Sequence, residues 1–172
     1  MTQVGTGAGA MASGNDGPSW ANKLLIVTAA LELLGSLAAV PLLFLDMPQL
    51  PGPPLTGTLI TVRLLLQPVL ALVAFIFAVR YRNAFAIYAM AALIIVMWTS
   101  FLPTFVEQGL QLDGYMAIHT LYELIAMPLL AGVAAALATS RQKIAALLVT
   151  LPTLLDLVSV IAFAISSAAF GD

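Results

Sequence analysis

The segment DGYMAIHTLYELIAMP, residues 113–128, holds the chain's only histidine, His119, and one helical turn later Glu123, in a stretch otherwise apolar enough for lipid. On a helix the H-x-x-x-E spacing puts both side chains on one face. An imidazole and a carboxylate so placed can exchange a proton or share a ligand. Other ionisable or polar groups interrupt apolar runs in the same way: Glu32, Arg63 with Gln67 a turn later, Trp98 followed by Thr99 and Ser100, and Asp156 between Pro152 and Ser159.

Such residues cost stability where they lie. An ionised side chain near the centre of a membrane helix carries a penalty of roughly 2.5 to 3.5 kcal/mol, so intramembrane ionisable groups default to a functional reading. The charge balance adds a constraint. Glu32, Glu123 and Asp156 face one permanent cation, Arg63, and cannot all be ionised cheaply. An unpaired carboxylate there takes up a proton or accepts a bound cation, and either outcome is raw material for function.

Each group also has a structural reading. His119 can be an interfacial histidine, Arg63 with Glu123 or Asp156 a register-fixing ion pair, and Glu32 a protonated side chain bonding across helices.

The elements that must position these groups follow from composition. Of 172 residues, 62% are hydrophobic and 8% charged, with a mean hydropathy of +1.06, which excludes a water-soluble domain with a charged surface. A bilayer core takes about 20 apolar residues per helix, because every backbone N–H must be satisfied within its own segment. Five stretches qualify, at 23–45, 57–79, 84–106, 115–138 and 144–169. The expected fold class is therefore all-α, a polytopic five-helix transmembrane bundle.

Direction follows from the connectors. Lys23, Arg80 with Arg82, and Arg141 with Lys143 alternate with connectors carrying only acids: Asp46, then Glu107 and Asp113, then Asp172. The positive-inside rule predicts a cytoplasmic N-terminus and an external C-terminus in a cell inner membrane. Residues 1–22, rich in Gly, Ala and Ser, read as a flexible cytoplasmic tail, and residues 23–172 as one transmembrane domain. Ser19 is placed to cap the first helix and Trp20 to sit at the headgroups.

Pro41, Pro68, Pro103, Pro128 and Pro152 put a possible kink in every span, and small-residue runs such as AGVAAALA (residues 131–138) predict close helix contacts. At about 1.5 Å per residue, Arg63 and Glu123 lie at similar depth, which predicts an outward pocket walled by Arg63, Gln67, Trp98, His119 and Glu123, with Asp156 and Glu32 beneath.

Several chemistries are excluded. The absence of cysteine removes thiol redox, iron–sulfur and disulfide chemistry, a single histidine cannot bis-ligate haem, and no lysine lies within a span to form a retinal Schiff base. No phosphate loop, H-E-x-x-H or G-x-S-x-G occurs, and six basic against eight acidic residues leave no nucleic-acid footprint.

The leading expectation is a bilayer-embedded protein that binds a small solute or cation at a buried acid/base site of Glu32, Arg63, Gln67, Trp98, His119, Glu123 and Asp156, coupled to protons and acting as a homo-oligomer, with no cofactor and no metal. The alternatives are a non-catalytic subunit or assembly factor of a larger membrane complex, and an intramembrane enzyme acting on a lipid-like substrate.

Overall fold

A computed structural model describes residues 19–43, 54–110 and 114–170; the expected tail, except for Ser19 to Asn22, and the acidic connector residues Asp46, Asp113 and Asp172 lie outside the described residues. The described residues form helices and short turns, with no strand, and five helical segments are long and apolar enough to cross a membrane.

The first helix, α1 (Trp20–Ala39), starts three residues before its expected boundary because Ser19 caps it. The Asn22 backbone N–H reaches Ser19 Oγ at 3.4 Å and Ser19 O at 2.9 Å. It also ends earlier than its apolar run. Pro41 has no N–H to return to Leu37, and the backbone tightens into a 3-10 turn at Val40–Leu43.

Next come α2 (Pro54–Val79) and α3 (Asn83–Gln108), joined by a tight turn. Tyr81 sits there at φ 57°, in the left-handed region, while Arg82 N–H bonds Phe77 O at 2.9 Å and Tyr81 N–H bonds Ala78 O at 3.1 Å. This is a Schellman end with tyrosine where glycine is usual.

The fourth apolar stretch is not one continuous α-helix. It divides into α4 (Gly114–Leu121), a π-helical turn (Tyr122–Ala126) and α5 (Met127–Leu137). In the π turn the Met127 N–H bonds Tyr122 O, five residues back. The next residue is Pro128, which has no N–H to offer Leu124 O, and from across the bundle the Trp98 indole N–H donates to that carbonyl at 3.1 Å. The last helix, α6 (Gln142–Phe170), runs through Pro152 without a break in assignment, as α2 does through Pro68 and α3 through Pro103.

At the centre stands α3, which packs against α1, α2, α5, α6 and the π turn. The buried core lies entirely towards the end where α1, α3 and α6 begin. Ala21, Leu25 and Ala29 of α1 meet Ala74 and Ala78 of α2, Ala86 to Ile94 of α3, Ala131 to Ala138 of α5, and Ala145 to Val149 of α6. Alanine lets these backbones approach closely, the means of association available where surrounding lipid is as apolar as the helix faces.

Candidate functional site

Away from the alanine core the polar residues sort into two groups. The first is a cleft of about 490 Å³ between the α4/π-turn segment and α6. Its polar lining is His119, Tyr122, Glu123, Asp156 and Ser159. Its apolar lining includes Met97 and Phe101 of α3, Met127 of α5, and Leu155 and Val160 of α6.

The π turn sets this geometry. Adding a residue to one helical turn rotates the downstream helix about its axis relative to the upstream one. Across that step His119 Nδ1 stands 3.5 Å from Glu123 Oε2, the one ion pair among the described residues. That is longer than the 2.7–2.9 Å or so of a tight charge-assisted bond, so the carboxylate keeps capacity for another partner. The Tyr122 hydroxyl is buried with no hydrogen-bond partner, and Asp156 is exposed on the facing helix. Among the described residues no three His, Asp or Glu side chains converge to hold a metal ion.

The second group is a chain of polar contacts behind the cleft. Thr153 Oγ1 donates to Glu32 Oε1 at 2.8 Å, joining α6 to α1. The Gln67 side chain lies beside Glu32. Its Oε1 accepts from Arg63 Nε at 3.3 Å, and Arg63 Nη1 donates to Ser100 Oγ at 3.2 Å, so the chain continues through α2 to α3. The guanidinium lies over the Phe101 ring, 5.3 Å from its centroid. Phe101 thus touches both groups, carrying the cation and lining the cleft.

The seven residues read from the sequence are therefore divided. His119, Glu123 and Asp156 line the cleft, whereas Glu32, Arg63 and Gln67 form the polar chain and do not line it. Arg63 bonds Gln67 and Ser100 rather than Glu123; α3 packs against both α2 and α5, whereas among the described residues no Cα of α2 comes within 8 Å of one in α4 or α5. Trp98 is committed to the Leu124 carbonyl.

Two polar participants escaped the sequence reading, Tyr122 and Thr153, as did the aromatic ring of Phe101. Thr153 lies three residues before Asp156 on the same helical face, a spacing that could have found it. Tyr122 adjoins Glu123, but only the π turn swings both into one cleft.

Compared with known protein families, curated proteins and solved structures, the chain matches none of them. The class rests on the fold itself: five helices of this length and apolarity suggest a multi-pass membrane protein.

Proposed function

We propose that the protein resides in a cytoplasmic-type membrane, N-terminus inside, and binds a small solute or cation in the cleft between the α4/π-turn segment and α6, with the His119 and Glu123 pair exchanging protons as the ligand enters. The observation that carries this reading is the loose 3.5 Å His119–Glu123 pair facing an exposed Asp156 across a cleft that no described lysine or arginine lines. Sidedness rests on the basic connector residues, Arg80 and Arg82 between α2 and α3 and Arg141 and Lys143 around the α5–α6 turn, which fall at the end where α1 begins.

The groups able to take part in proton exchange are His119, Glu123, Asp156 and Tyr122 around the cleft and Glu32 in the chain behind it, where Arg63 is a fixed positive charge. Thermal unfolding of the purified protein, screened with sodium, tetramethylammonium and acetate, tests this directly. One class should raise the midpoint with its concentration as mass action requires, with proton uptake or release seen by a pH indicator, and Glu123→Gln should remove both effects. No stabilisation by any class, with Glu123→Gln unfolding like the wild type, would reject the site.

One observation favours the subunit reading. Beyond Thr153, the described side chains of α6 from Leu155 to Ser166 are exposed on every face. A partner helix laid there would bury them, and chemical cross-linking from Val158 or Ile165 in native membranes would capture it.

A further inference from the structure

The cleft lies between two neighbouring segments that never close on each other. Among the described residues no Cα of α4 or the π turn comes within 8 Å of a Cα of α6, while α5 and α6 are packed together below them. No other described element packs against both segments on the outer side, which leaves the gap open between them. At its rim stand Ile118, 68% exposed, and Val160, 64% exposed, which would face hydrocarbon in a membrane-spanning bundle.

Asp156 lies about 21 Å along α6 from its first residue, near the middle of the helix and far from either end. It is exposed, it makes no ion pair with a described residue, and Arg63 is committed elsewhere, to Gln67, Ser100 and the Phe101 ring. His119 and Arg63 act on this carboxylate only from beyond ion-pair distance, so it keeps room for a counter-cation from outside the fold. The choice between a metal ion and an organic cation follows from the lining. Among the described residues no three donor side chains converge to coordinate a metal, whereas Met97, Phe101 and Met127 offer the soft, polarisable surface that suits an alkyl or aryl body.

Resting on the cleft reading above, we infer that the ligand is a hydrophobic ammonium compound that enters sideways from the bilayer. Its charged nitrogen sits between Asp156 and Glu123, and its apolar body lies along Met97, Phe101 and Met127. The buried Tyr122 hydroxyl, which has no partner of its own, can accept one of the ammonium protons. His119 stays paired with Glu123 at 3.5 Å.

The chain's two tryptophans make a direct test possible. A Trp20→Phe background leaves Trp98, adjacent to the cleft residue Met97, as the only indole. In lipid nanodiscs its emission is titrated with octylamine, octanol, octanoate and tetramethylammonium. Octylamine should saturate the signal, the other three should bind at least about tenfold more weakly, and Asp156→Asn should lower octylamine affinity about tenfold or more, as expected for a lost charge-assisted contact. Asp156→Glu should restore much of that affinity, which a purely structural role would not predict.

Equal binding of octanol and octylamine, with Asp156→Asn neutral, would overturn the ammonium assignment while leaving a ligand cleft in place. Equal binding of tetramethylammonium would overturn the role of the apolar wall. If none of the four binds while sodium or acetate still stabilises the protein through Glu123, the ammonium inference falls and the cleft reading stands; if sodium and acetate fail as well, both fall. If Asp156→Asn changes the oligomeric state and leaves octylamine affinity unchanged, Asp156 is a helix-pairing residue and the inference is wrong.

Discussion

The two ends of the bundle are built by opposite rules. Where α1, α3 and α6 begin, ten alanines, among them Ala29, Ala78, Ala134 and Ala145, are 2% exposed or less, and the helices close tightly on one another. Towards the other end the interior residues are Glu32, Arg63, Gln67, Ser100, Glu123 and Thr153, α4 stands clear of α6, and a cleft opens. In lipid, apolar helix faces gain nothing by leaving hydrocarbon, so association depends on close packing and on polar contacts. Alanine favours the first, bringing backbones together into a rigid contact. Polar side chains, which need room and several partners each, hold helices together at a distance and leave space between them.

The contrast can be broken most sharply by exchanging volumes. Ala134→Leu, at a fully buried position, should destabilise by about 1–3 kcal/mol, whereas Val160→Leu at the cleft rim should stay within about 0.5 kcal/mol. Equilibrium unfolding in mixed micelles reads both, and equal costs would show that the two ends pack alike.

The next effect concerns the joint between the halves. Trp98→Phe leaves the Leu124 carbonyl without its indole donor and should cost about 1–3 kcal/mol. Pro128→Ala supplies a backbone N–H one turn along from that carbonyl, so the double variant should cost less than Trp98→Phe alone. A strictly additive cycle would mean that the proline and the tryptophan do not serve the same carbonyl.

Thr153→Val removes the 2.8 Å bond to Glu32 at the open end and should cost about 0.6–1.7 kcal/mol, the range of interhelical hydrogen bonds within membranes. A loss as large as that of Ala134→Leu would make the polar chain, rather than the alanine core, the main tie of the bundle. The smallest change expected is at the tight end. Tyr81→Gly relieves a left-handed backbone at φ 57° and should raise stability by no more than about 1 kcal/mol, read as a small upward shift in Tm.

How far the sequence reaches can be judged residue by residue. The five apolar helices were legible because their signal is local, about 20 residues of hydrocarbon character each, and Ser19 announced the start of α1. Prolines were legible as sites of disturbance but not as to its kind. Pro41 converts α1 to a 3-10 turn and a π turn precedes Pro128, while Pro68, Pro103 and Pro152 sit inside unbroken helices. Whether a proline breaks a helix depends on whether neighbours can bond the carbonyl it abandons, and Trp98, distant in sequence, decides that for Leu124.

Depth and azimuth divide the remainder. Counting residues along a helix placed Arg63 and Glu123 at one level, but a helix's rise says nothing about which helix stands beside it. The order of packing, with α3 against both α2 and the fourth segment, sends Arg63 to Ser100 and Phe101 and leaves Glu123 to His119. The amino-acid order thus fixes how many span-length apolar segments there are and which residues hydrocarbon would penalise, because both are properties of single segments in a single solvent. The division of those residues into a cleft and a half-buried polar chain belongs to the folded bundle, because it depends on which faces meet, and faces meet only when every helix has found its neighbours.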